Sequence, residues 1–381
     1  MTTARSAGES GRADFIDTLR VVLTVLVIAH HTAITYGGSG SWFYREVTDG
    51  GRPSSLLLTL FCAVNQSFFM GMFFLLAGYF TPGSLQRKGV LHFLIDRGFR
   101  LGVPLLVFGF VVGPLAVALG SSPSGQSALV AWASLVRSST FVMGPLWFAW
   151  ALILLTLVWV IWTGTMSRAA PRGANPQAPV PSGRAWLLSA LLVGVAALTI
   201  RQWFPVGQNV LGLQLGYFAS YVFLFFLGCR SSASRWLERV RSNQARLWLL
   251  VSLVTIPLLP LGAALFGALG GKAVNFNGGL SIASILYAFW EPFVAWGIIA
   301  ALLLKFRQRF NGRDPRWRRW GESAYGAFVV HAPIVVALSV LLAPWPAPPL
   351  LKFCLVGVAG TVLSFLTSRA LRALPGFARI L

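Results

Sequence analysis

The 381 residues are 56% hydrophobic and only 11% charged, with 15 Trp and 29 Phe and a mean hydropathy of +0.71. Soluble domains typically carry roughly 25% charged residues, so too few charges are present to cover this apolar surface in water, and a soluble globular protein is excluded. The net charge of +21 would suit a nucleic-acid partner, but its distribution along the chain argues against one.

Repeated apolar runs of about 20 residues match what ~30 Å of hydrocarbon requires. Lipid offers no partner for free backbone groups, so each run must be a helix. The expectation is an all-α polytopic membrane protein, one domain over 1–381, with ten spans. They fall at about 20–37, 56–80, 99–119, 145–163, 186–200, 211–229, 247–268, 281–304, 323–342 and 350–368. The first span, RVVLTVLVIAHHTAITYGG, follows three arginines and precedes the small residues GGSGS, as a cleaved signal would. Its two histidines and a tyrosine are foreign to a signal core, so it is read as a retained helix. The fifth span is short, and Pro257 and Pro260 predict a kink in the seventh. Residues 165–184, rich in Pro, Ala and Gly, read as a flexible linker. Cys62, Cys229 and Cys354 all fall in spans without metal-ligand spacing and read as apolar fillers.

With ten spans, the two termini and the even-numbered connections hold 25 of the 31 Lys and Arg. The other five connections hold Arg45, Arg52, Arg137, Arg201, Lys272 and Lys352. The positive-inside rule then places both termini in the cytoplasm. The basic balance is therefore topological, and no nucleic-acid role is expected. The densest run, KFRQRFNGRDPRWRR at 305–319, is also suited to anionic lipid.

Ionisable side chains at membrane depth are costly and tend to mark function. At about 100° per residue, His31 lies within about 20° of Arg20 on one helix face, whereas His30 misses it by about 80°. His31 stands about 16 Å along the axis from Arg20. A neutral imidazole there can take a proton as a general base, so His31 is the chemical candidate and His30 a packing residue. Arg97 and Arg100, in IDRGFRLGVPLL, share a helix face at the start of the third span. Two guanidiniums there suit phosphates or a carboxylate, and with Arg20 they form a candidate dock for an anionic cofactor. Glu291 is the only acid deep in a span; it reads equally as a buried partner for a basic or hydroxyl group and as a carboxylate orienting an imidazole or a sugar hydroxyl. His331 is balanced in the same way, and His92 reads as solvated.

Arg20 with His31, followed by Arg97-x-x-Arg100, resembles the membrane acyltransferase 3 family. FFMGMFFLLAGYF (68–80), GPLWFAWALIL (144–154) and ESAYGAFVVHAPIVV (322–336, with Tyr325 and His331) resemble further spans of that family in order. YAFWEPFVAWG (287–297) and RFNGRDPRW (309–317) resemble the branch that succinylates periplasmic glucans, although YGAFVVHAP lacks that branch's Tyr-Pro and His-Gln pairs. The resemblance implies a multi-pass protein of the inner (plasma) membrane. It would transfer an acyl group, acetyl or succinyl, from cytoplasmic acyl-CoA (acetyl-CoA or succinyl-CoA) to a hydroxyl of a carbohydrate or other acceptor at the outer face. It also implies that Arg20, Arg97 and Arg100 bind CoA, that His31 is catalytic with Glu291 and His331 beside the chemistry, and that no metal takes part. Direct transfer and an acyl-enzyme relay both fit, and the acyl group, acceptor and oligomeric state stay open. The competing class is a proton-coupled transporter or flippase without acyl chemistry.

The charge asymmetry yields a topological test. A cysteine introduced into the linker as Ser167→Cys should resist a membrane-impermeant maleimide in intact cells and react after permeabilisation. Labelling in intact cells would invert the assignment.

Overall fold

The computed structural model describes residues 14–121, 127–166, 179–310 and 315–380. The expected linker therefore lies largely outside the described residues, as do the stretch before the first helix and residues 311–314. The helices are α1 (Asp14–Thr35), α2 (Pro53–Lys88), α3 (Val90–Ser121), α4 (Ala128–Arg137), α5 (Trp147–Met166), α6 (Gly183–Ile200), α7 (Phe218–Ser234), α8 (Ser242–Leu265), α9 (Ile282–Arg309), α10 (Pro315–Leu342) and α11 (Pro349–Ala373). Nine of the helices among the described residues are long and apolar enough to cross a bilayer. The expected sixth span departs from that pattern. Its first residues form turns and a short 3₁₀ segment at Leu215–Tyr217, which leaves α7 only 17 residues, about 25 Å of helix. The predicted kink is present, since α8 breaks between Thr255 and Leu258 at Pro257.

Helix α1 is enclosed. It packs against α2, α9, α10 and α11 and buries Leu19, Leu23, Val27 and Ile28. Peripheral helices instead turn large side chains outward, as Leu188 and Leu192 do on α6 and Leu250 and Leu253 on α8. That outward apolar surface is what lipid, rather than water, tolerates.

α1 and α10 run side by side in the same direction. Thr24 Oγ1 donates to the Ala324 carbonyl at 3.5 Å, and His31 meets His331. The two contacts recur after seven residues on each helix, a step of two turns that returns to nearly the same face. Gly321 keeps the seam tight lower down, where an added Cβ would stand 2.9 Å from Cβ of Asp17.

The most extensive helix contact is between α2 and α7, and two glycines permit it. A Cβ on Gly78 would sit 2.1 Å from the Phe225 carbonyl oxygen, and one on Gly228 would sit 2.2 Å from that of Leu75. The backbones touch directly. In lipid, helices associate through such close packing, because tails solvate apolar side chains as well as a neighbouring helix does.

This crossing sets where the end of α2 lies, and with it Phe80 and Thr81. Gly78→Leu or Gly228→Leu should therefore lower stability by roughly 1–3 kcal/mol through overpacking, read as a fall in melting temperature of the purified protein. The double substitution should cost less than the two singles added, since both push the same backbones apart. Additive losses would mean that the crossing is not shared.

Candidate active site

The bundle has two chemically distinct ends. At one, the start of α1, the end of α2 and the start of α3 gather the arginines. The Arg20 guanidinium lies 5.1 Å above the Phe80 ring and 3.3 Å from Asp17 Oδ1. Arg97 donates from Nη2 to Thr81 Oγ1 at 3.1 Å and covers the Phe93 ring at 5.3 Å. Both cations thus dock on adjacent residues of α2, within electrostatic reach of each other. Arg100 differs from its expected twin. It sits in a π-helical turn, Gly98–Gly102, pairs with Asp96 at 3.3 Å, and leaves its side chain 57% exposed. Arg97 faces the bundle, while Arg100 faces outward.

At the other end, the imidazoles of His31 and His331 are brought together from helices 300 residues apart. Nδ1 of His31 lies 2.9 Å from Nε2 of His331, and Nδ1 of His331 lies 2.6 Å from the Phe328 carbonyl. These two contacts settle the proton positions for a neutral pair. A carbonyl only accepts, so Nδ1 of His331 carries its proton and Nε2 offers a lone pair. Nδ1 of His31 must then be the donor. The free lone pair of His31 is on Nε2, the position a general base needs. His31 is half-buried, whereas His331 is fully buried.

His30 is placed differently. It is buried, stacks on Phe69 at 5.0 Å between centroids, and leaves Nδ1 without a hydrogen-bond partner. It makes an edge contact with His31 only.

The loop after α1 supplies a group that sequence reasoning missed. Trp42 lies flat on His31, with centroids 3.9 Å apart and planes 11° apart, and also stacks on His331 at 5.7 Å. The loop is held where it folds back. Glu46 and Val47 donate their backbone N–H to the Thr35 carbonyl at 2.9 and 3.2 Å. Lys352 of α11, 2% exposed, donates to Glu46 Oε1 at 2.6 Å. The indole is therefore a fixed wall against one face of the imidazole.

Glu291 is held elsewhere, in a buried ion pair with Arg201 at the end of α6; their side chains are 5% and 1% exposed. Arg201 also donates Nε to the Gly216 carbonyl at 3.0 Å and lies over the rings of Tyr287 and Tyr217 at 4.9 and 5.7 Å. Arg201, Tyr217 and Tyr287 were not singled out from the sequence. A signal did exist for Arg201 and Lys352, because both belong to the six basic residues on the sparse side of the charge pattern.

Removing one partner of a buried ion pair strands the other charge, at roughly 3–5 kcal/mol. Arg201→Met should accordingly produce a large drop in melting temperature, and adding Glu291→Gln to it should restore much of the loss. If Glu291→Gln alone leaves the melting temperature unchanged, the pair does not hold this end of the bundle.

Comparison with known proteins adds a family. A model described as an acyltransferase domain matches residues 13–369. Glucans biosynthesis protein C of Escherichia coli, in three K12 strains, is 34% identical over 95 residues, which is 25% of this chain and 23% of that protein. The chain thus matches under a quarter of the length of these curated relatives. No solved structure matches.

Proposed function

Because the chain belongs to the membrane acyltransferase family, we propose that it is an O-acyltransferase that takes an acyl group from acyl-CoA at the arginine end and delivers it to a hydroxyl at the histidine end. The observation that carries this reading is the hydrogen-bonded pair of His31 and His331, whose His31 shares α1 with Arg20, about 16 Å along the axis. CoA is a polyanion, and Arg20 and Arg97 offer two neighbouring cations toward which its phosphates are drawn. Arg100 contributes at the rim. The thin pantetheine arm then reaches along α1 toward His31.

In this scheme Nε2 of His31 takes the proton of the acceptor hydroxyl as its oxygen attacks the thioester carbonyl. The new C–O bond forms and the C–S bond breaks. The proton held on His31 passes to the departing CoA sulfur. While His31 is cationic, its Nδ1–H donates more strongly to His331 Nε2, and the Phe328 carbonyl keeps His331 in the tautomer that accepts it. Trp42 holds the ring plane. His331 and the Phe328 carbonyl orient the base, the role a third group plays in triads generally.

The acceptor class is read as a carbohydrate. That reading is supported by the curated relative's name, which concerns glucans. The donor is read as acetyl-CoA or succinyl-CoA. The topology proposed with it counts α7 as the tenth crossing and places both termini in the cytoplasm of the inner (plasma) membrane, supported by the 25 Lys and Arg on that side against six.

Purified protein given labelled acyl-CoA and a glucan acceptor should release CoA. General-base catalysis typically contributes 10²–10⁴-fold, so His31→Ala should lose at least about a hundredfold in turnover while remaining folded. His30→Ala should lower stability and keep substantial turnover in the folded fraction. Intact acyl-CoA after incubation would favour a transporter, and near-normal turnover in His31→Ala would remove the base assignment.

A further inference from the structure

A second basic cluster lies on helices other than those that carry Arg20, Arg97 and Arg100. The start of α10 and the end of α11 enclose a pocket of about 170 Å³ lined by Arg316, Arg319, Trp320, Phe365, Leu366 and Arg369. The two helices are tied there by Ser368 Oγ, which donates to the Ser323 carbonyl at 2.8 Å. The pocket is at the arginine end of the bundle, since Gly321 of α10 packs on Asp17 of α1.

The charge of Arg319 and Arg369 is not spent in ion pairs among the described residues, and both are exposed. Glu322, the nearby acid, is engaged by Arg318 and Arg372 at 3.7 and 3.8 Å. Two unspent guanidiniums facing one cavity suit a phosphate, which accepts their forked hydrogen bonds.

The surroundings say which phosphate. Trp317, Gly321 and Ala324 face α1 and its neighbours, whereas at 100° per residue Arg316 and Arg319 lie on a different face of α10, turned toward α11. On α11, Leu355, Val358, Val362 and Leu366 are 45–67% exposed. At 100° per residue these four and Arg369 fall within an arc of about 80°. An uncovered apolar stripe thus runs up the outer face of α11 and ends at Arg369. Trp320, 42% exposed against Phe365, stands where an indole is favoured, at the boundary of hydrocarbon and headgroup.

From this juxtaposition we infer that the α10–α11 pocket binds an anionic glycerophospholipid. The phosphate is held by Arg319 and Arg369, Trp320 lies beside the glycerol, and an acyl chain follows the α11 stripe. The pocket lies on the face that meets bulk lipid, and its ligand is structural or regulatory rather than a substrate. It also supplies a role for the basic run before α10. This inference is independent of the acyl-transfer reading.

Native mass spectrometry of the full-length protein, purified in detergent, tests it with added phosphatidylglycerol or phosphatidylcholine. The wild type should retain phosphatidylglycerol well in excess of phosphatidylcholine. Each basic residue near an anionic surface is worth about 1 kcal/mol, so Arg319→Gln with Arg369→Gln should weaken phosphatidylglycerol retention roughly thirty-fold. A control that removes two exposed charges elsewhere, Arg87→Gln with Arg379→Gln, should change it little. Equal retention of the two lipids, or an equal loss in the control, would overturn the proposal. Displacement of the lipid by CoA in the wild type would overturn it too, because the pocket would then belong to the donor site.

Discussion

Much of the structure depends on one hydrogen bond between two imidazoles of helices distant in sequence. It allows no slip between α1 and α10, because a shift of one residue turns the facing side chain by about 100°. The helices meet that demand with a seam repeated every seven residues and with small residues where they touch. Gly321 admits Asp17, and Gly360 of α11 lets Val335 and Ile28 close around the same region, where a Cβ would lie 3.2 Å from one and 3.8 Å from the other. The Phe328 carbonyl then fixes the tautomer without adding a charge. A carboxylate in that place would have had to be desolvated, at a cost of several kcal/mol per ion. A neutral pair avoids that cost and still gives His31 a free lone pair.

The second constraint is separation. Cations collect at one end of the bundle and the imidazoles stand near the other, joined by a single enclosed helix. In hydrocarbon, long basic side chains sit most cheaply near the ends of helices, where they reach the interface. The chain accordingly places Arg20, Arg97 and Arg100 close to helix starts. Arg97 is turned inward by Thr81, on the same α2 end that carries Phe80 for Arg20, and the Gly78–Gly228 crossing fixes that end. Packing between two helices that bear no charge thus determines the spacing of two cations that do.

Several of these features were legible in the sequence. The apolar runs gave the helices, Pro257 gave the break in α8, and the angular offset of Arg20 and His31 separated the two histidines, which the structure places in different surroundings. Helix ends were less legible: α1 begins six residues before its apolar run, and α2 extends to Lys88, because amphipathic turns beyond the hydrocarbon stay helical when a neighbour covers them. The sixth run was mistaken at its start, where Gly212 sits in a turn and Gly216 in a short 3₁₀ segment. Pairing was not legible. Nothing local tells His31 that its partner is His331, or Glu291 that its partner is Arg201, since these contacts span 300 and 90 residues. Trp42 could not be assigned because its position comes from backbone bonds to Thr35 and from Lys352, a residue more than 300 positions away.

The sparse-side charges show how more could have been read. Six Lys and Arg fall in the five connections that are poor in basic residues, a pattern to which the positive-inside rule assigns the outer side. Two of them, Arg201 and Lys352, are among the most deeply buried side chains of the molecule. Each is neutralised by a glutamate from a distant segment. A cation retained against the topological bias needs a reason in the fold, and for these two the reason is a buried carboxylate partner. The same logic separates them from the more numerous arginines at the other end. There, surroundings set individual residues apart: Arg97 turns inward onto Thr81, and Arg319 and Arg369 line one cavity without an ion pair among the described residues.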